Sequence, residues 1–147
     1  MVLHPNQEEL IAGDQEGRIV RWDLRANACT EHLIPEPETA IRSVSVSRDG
    51  KFMAAVNNKG NLYTWQLENS ELTPIKMSKV HDEYVLKCLF SPDSSMLATT
   101  SSDGTAKIWR IFGEHGEPTF ELDKTLAGHK VRFVSHFGKS LYLIFIL

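Results

Sequence analysis

The sequence predicts an all-β chain, a row of about three four-stranded blades left open at both ends, and three observations carry that prediction. The first is a period: Trp22, Trp65 and Trp109 are spaced by 43 and 44 residues. The second is a turn that recurs in phase, "DQEG", "NNKG" and "SSDG", each ending in a glycine (Gly17, Gly60, Gly104) five residues before its tryptophan. The third is alternation. "RIVRW", "NLYTW" and "TAKIW" interleave polar and apolar side chains with the period of a half-buried strand. Four short strands in every 43–44 residues is the pattern of a β-propeller blade.

Each copy can be justified in chain order. The first reads as a polar turn "HPNQEE", a strand at "LIAG", the Gly17 turn and the strand closed by Trp22. "LIPEPE" follows, where two prolines stiffen a connector between blades; its carboxylates, including Glu36 and Glu38, are expected to be solvated. The second copy runs through "SVSV", the turn "SRDGKF", "MAAV" and the Gly60 turn to Trp65. The third runs through "KCLF", "SPDSSM", "LATT" and the Gly104 turn to Trp109. Serine, aspartate, proline and glycine sit where tight reversals need them. No window shows a capped 3.6-residue apolar period. The expected blades are about 1–39, 40–80 and 81–128, a partial propeller over 1–130, followed by a divergent apolar tail at 131–147.

The period, the Ser-Pro-Asp turn, the Asp-Gly turn and the Trp-Asp of "RWDL" resemble the WD-repeat family, best in "HDEYVLKCLFSPDSSMLATTSSDGTAKIW". His81 lies nine residues before Phe90, and Asp103 six before Trp109, as that family's pattern requires. The resemblance implies a buried hydrogen-bonded chain of His81, Thr99 or Ser101, Asp103 and Trp109, with Trp22 and Trp65 in the matching positions of the other blades. Those other copies read as degenerate: Pro37 stands at the histidine position and Lys59 at the aspartate position of the second, and Glu16 replaces the aspartate of the first. Loop strings that blade architecture does not demand ("LHPNQ", "LIPEPE", "MAAVN", "CLFSPDSSMLAT") are similar to the small WD-repeat subunits of the target-of-rapamycin kinase complexes. That likeness runs from about Val2 to His129. Family members are seven-bladed rings, of which this chain would hold roughly the fourth to sixth blades.

The resemblance implies a non-catalytic scaffold that binds and supports a kinase domain of the target-of-rapamycin type, together with other complex subunits, in nutrient and growth signalling. The alternatives are a truncated product with little function, or a WD-repeat adaptor for another complex. WD propellers bind partners chiefly on the face carrying the connections between blades and the turns before each tryptophan strand. Here that face would present Arg42, Glu83, Tyr84, Gln15 and Asn58.

Composition narrows the classes further. A net charge of −3, with lysine and arginine scattered singly, argues against a nucleic-acid binder. Cys29 and Cys88, 59 residues apart, fit no disulfide framework or zinc knuckle and are expected as two buried thiols in a reducing compartment. The six histidines (4, 32, 81, 115, 129, 136) show no ligand spacing; His81 and His129 are expected to bridge blades, the rest to lie in loops or at the surface. No phosphate-cradling or nucleophile-elbow pattern is present, so no cofactor and no metal are expected. The N-terminus lacks a signal-peptide pattern, and "SLYLIFIL" is too short to cross a bilayer, so no membrane insertion is expected. The expected location is cytoplasmic, peripheral to endomembranes through partners. After "LAGHK" the repeat fails at two of three places: the positions matching Val85, Cys88 and Phe90 hold Phe133, His136 and Gly138, which reads as a substituted terminus, the alternative being a short strand pair. An open stack leaves apolar outer faces, and "YLIFIL" is β-prone and uncharged, so the chain alone is expected to self-associate.

Overall fold

The computed structural model describes residues 1–68, 71–113 and 118–128, together with the backbone of two further strands at Ser135–Phe137 and Leu143–Phe145. Three four-stranded antiparallel sheets account for the repeats. The first holds β1 (Val2–Leu3), β2 (Glu9–Gly13), β3 (Ile19–Asp23) and β4 (Ala28–Leu33). The second holds β5 (Ile41–Val46), β6 (Phe52–Asn57), β7 (Asn61–Glu68) and β8 (Glu71–Lys79). The third holds β9 (Val85–Phe90), β10 (Met96–Ser101), β11 (Thr105–Phe112) and β12 (Thr119–Ala127). Each sheet is a simple meander, because every connection is a short reversal. β13 (Ser135–Phe137) and β14 (Leu143–Phe145) pair as an antiparallel ribbon inside the tail, the short strand pair that stood as the alternative reading of this segment.

The sheets stack face to face through β5 and β9, which lie side by side, and β5 also meets β1 and β2. Alternation decides which side chain faces which neighbour. In "MAAV", Met53 and Ala55 enter the core shared with the first sheet, while Ala54 and Val56 enter the core shared with the third. A central blade has no solvent face, so both sets are fully buried. Trp65 and Trp109 each point back toward the preceding sheet, and each is 6% exposed.

Trp22 points the same way and meets no preceding sheet among the described residues. It is 42% exposed, beside Leu3 and Leu24 at 49% each, so the first sheet presents a bare apolar face. On the opposite outer face, Ala98, Thr100 and Ala106 are buried, so the expected second bare flank is not bare at its centre.

One device recurs that no sequence pattern revealed. The β3–β4, β7–β8 and β11–β12 ladders each slip by one residue at the tryptophan, between Arg21 and Trp22, Thr64 and Trp65, and Ile108 and Trp109. Such a bulge increases local twist and swings the outer strand away from the ladder. Its place beside the widest side chain in every blade gives the indole room at the sheet's outer edge.

Candidate functional site: a turn face braced by two polar clusters

The third sheet carries one cluster. His81 Nδ1 lies 2.9 Å from Asp103 Oδ2, His81 Nε2 lies 2.9 Å from Thr99 Oγ1, and the Trp109 indole N–H donates to the same Thr99 oxygen at 3.0 Å. These contacts fix the proton positions. A carboxylate only accepts, so Nδ1 carries the imidazole proton; the Thr99 hydroxyl then donates to Nε2 while accepting from the indole. Burial disfavours a charged ring and lowers the His81 pKa, against the opposing pull of Asp103, in keeping with a neutral imidazole. Asp103 also accepts from the Thr105 amide at 2.8 Å and the Thr105 hydroxyl at 2.6 Å. These bonds outweigh desolvation and hold its carboxyl below the usual aspartate range. Of the two candidates for the strand hydroxyl, Thr99 occupies the chain. Ser101 does something else: its hydroxyl donates to the Tyr84 carbonyl at 2.9 Å and accepts from the Asp103 amide at 3.2 Å.

The second sheet carries a cluster that pattern matching read as loss. Gly60 and Gly17 reveal the equivalence. Both have positive φ (+87° and +88°), and an added Cβ would lie 2.1 Å from the His81 carbonyl oxygen in one case and 2.2 Å from the Glu36 carbonyl oxygen in the other. Glu36, not Pro37, therefore stands in the place of His81, and the connector after it is one residue longer. Lys59 stands in the place of Asp103, so the acidic and the basic residue have exchanged places. Glu36 Oε1 pairs with Lys59 Nζ at 2.6 Å, while Oε2 accepts from Tyr63 Oη at 2.7 Å and from the Asn57 and Asn61 amides at 2.8 Å each. Lys59 first, then Tyr63, Asn61 and Asn57, outweigh burial and hold the Glu36 carboxyl down to about 2. Burial and the adjacent carboxylate push the Tyr63 hydroxyl up to about 12. The expectation of a solvated Glu36 is thus corrected; the residue is a hub tying the connector to β6 and β7.

The other tryptophans do not join such chains. Ala55 sits where Thr99 would be and offers no side-chain acceptor, so Trp65 packs instead, stacked on Tyr63 with centroids 6.1 Å apart. Trp22 is paired across the ladder with Leu10 and faces solvent. Its sheet is braced at the turn by Asp14, which accepts from the Glu16 and Arg18 amides at 2.9 Å and from the Arg18 guanidinium at 2.6 Å. The thiols also divide: Cys88 is buried, its pKa pushed up to about 12 by desolvation, whereas Cys29 on the outer strand is half-buried, against expectation. His115 and His129 lie outside the described residues.

Each cluster ties the connection entering a sheet to that sheet's own turn, and three of the five expected face residues meet at the same end of the strands. The Arg42 guanidinium donates to Asn58 Oδ1 and lies 5.3 Å from the centroid of the Tyr84 ring, so it bridges the second and third sheets. Glu83 is exposed one residue before Tyr84, and Gln15 is exposed in the β2–β3 turn of the first sheet. Among the described residues no three histidine, cysteine, aspartate or glutamate side chains gather as a metal site, and no helix is long and apolar enough to cross a membrane.

Stacked four-stranded meanders with a tryptophan-closed third strand define an open, partial β-propeller. Comparison agrees: the WD domain, G-beta repeat family matches residues 72–110. Among solved structures, the WD40 repeats of RRP9 superpose with a TM-score of 0.77 at 18% identity, over 90% of this chain and 39% of that one.

More particularly, the sequence is 51% identical over 114 residues to the target of rapamycin complex subunit LST8 of Bos taurus, covering 74% of this chain. It is 43% identical to the target of rapamycin complex subunit wat1 of Schizosaccharomyces pombe, again over 74% of the chain. To LST8 of Saccharomyces cerevisiae it is 42% identical over 134 residues, 88% of the chain. The chain spans 35%, 36% and 43% of the length of these three relatives.

Proposed function

We propose that the chain serves as part of a non-catalytic subunit of a target-of-rapamycin kinase complex, holding the kinase domain on its turn face. The observation that carries this reading is the 42–51% identity to subunits of such complexes over 74–88% of the chain. The geometry is suited to the task. Arg42, clamped by Asn58 and laid over Tyr84, is already ordered before a partner arrives, which lowers the entropy cost of association. Arginine and tyrosine are also the residue types that most often dominate binding energy. Glu83 and Gln15 complete the face. The subunit works in the cytoplasm and reaches endomembranes only through its partners, as fractionation with and without the kinase would show.

The test is capture of a target-of-rapamycin kinase domain by the full chain, compared with Arg42→Ala/Tyr84→Ala. Loss of capture in the double variant, with near-ultraviolet circular dichroism unchanged, is expected. Equal capture by both proteins would move the docking surface elsewhere; no capture by either would remove the proposal for this chain.

A further inference from the structure

A trough runs along the seam between the second and third sheets, at the end of the strands opposite Arg42 and Tyr84. One part, about 840 Å³, lies between the β5–β6 turn (Asp49, Lys51), the β9–β10 turn (Asp93, Ser94) and the ends of β7 and β11. A second, about 440 Å³, lies between β8 and the start of β12. Gln66 and Pro118 line both, so the two are continuous. The floor is apolar: Phe52, Leu67, Ile75, Ile111 and Phe120, with Phe52 and Phe120 edge to face at 5.9 Å.

Its form and charge say what it suits. Only Leu67 and Phe120 among the lining residues are buried, so the trough is too open to enclose a small molecule, and its length suits a stretch of chain. The rim carries four carboxylates (Asp49, Glu68, Asp93, Glu121) against two ammonium groups, Lys51 and Lys76. Among the described residues none of the four carboxylates has an ion-pair partner. Asp93 is held anionic by the hydroxyls of Ser91 and Ser95. Pro74, in the middle of the outer strand β8, has no N–H to offer, so a guest strand cannot extend the sheet there and must be held by side chains.

We propose that this trough receives an extended segment of a partner protein in which basic residues alternate with apolar ones. Alternation puts every second side chain on the apolar floor and the intervening cations against the carboxylate rim. This surface is separate from the proposed kinase-docking face.

The probe is a labelled hexapeptide, blocked at both ends, alternating lysine with leucine, titrated into the full chain and read by fluorescence anisotropy. Saturable binding that weakens with salt is expected, about tenfold weaker in Glu68→Lys/Glu121→Lys and unchanged in Arg42→Ala. The corresponding glutamate–leucine peptide should prefer the charge-reversed protein. Both substituted residues are exposed, and near-ultraviolet circular dichroism verifies the fold of each variant. Equal binding of the two peptides, indifference to the double reversal, or no saturation below about 1 mM overturns the proposal. So does a peptide that acts only by dissociating a dimer of the chain, which would make a second copy the occupant. Loss of kinase capture with peptide binding intact would defeat the docking reading alone.

Discussion

Glutamine at position 36 isolates the Glu36 cluster. Glu36→Gln keeps the shape of the side chain but replaces one acceptor oxygen by a donor, which faces Lys59 or the Asn57, Asn61 and Tyr63 donors. Asn57 and Tyr63 are buried, and whichever way the amide turns their donors lose a charged acceptor, at a cost of about 1–3 kcal/mol. The Lys59 pair, whose ammonium is largely exposed, adds only ~0–1 kcal/mol. A second route gives a similar size. A carboxyl that titrates at about 2 when folded and 4.5 when free corresponds to ~3 kcal/mol, reduced by solvent screening to ~1–2 kcal/mol. Both routes point to about 2 kcal/mol at neutral pH. The sign follows from linkage: the folded pKa is the lower one, so the contribution is complete above 4.5 and fades as pH falls toward 2. Urea unfolding followed by tryptophan fluorescence at pH 7 and at pH 2.5 reads both features. A loss below about 0.5 kcal/mol at pH 7, or an equal loss at both pH values, would refute the hub.

Four further outcomes are expected. Thr99→Val leaves the Trp109 indole N–H and His81 Nε2 without a partner and costs about 3 kcal/mol in urea unfolding, most of it recovered by Thr99→Ser. Because burial lowers the His81 pKa below its ordinary 6.5, the unfolded chain takes the proton first; stability should fall as pH drops below about 6.5, and His81→Gln should remove that slope. Gly60→Ala places a methyl group 2.1 Å from the His81 carbonyl at a φ of +87°, and should cost about 2–4 kcal/mol by the same assay. Trp22→Gln should change stability by less than about 1 kcal/mol yet reduce self-association, seen by sedimentation velocity at two concentrations.

How much of this was legible in the residues depends on the range of the interaction. Strand and turn positions follow from neighbours a few residues apart, so the blade pattern could be read from tryptophan spacing, turn glycines and alternation. His81, Asp103 and Trp109 could be picked out for the same reason, since their separations are set by strand lengths within one sheet. Thr99 and Ser101 share a strand face, and only the packed sheet shows that the first reaches the imidazole while the second reaches the Tyr84 carbonyl. The Arg42–Tyr84 contact joins residues 42 positions apart on neighbouring sheets, and nothing local to either foretells it.

The amino-acid sequence by itself determined the number of blades, their order and the turn chemistry, because those rest on backbone preferences and on a two-residue period. Only the tertiary structure decided where Glu36 acts and why Trp22 stands bare. A residue inserted in a connector moves a carboxylate into a neighbour's histidine position, and exchanging acid and base across that position preserves the attraction while erasing the motif. Exposure of Trp22 is likewise a property of the stack, since the same side chain is buried wherever another sheet lies in front of it.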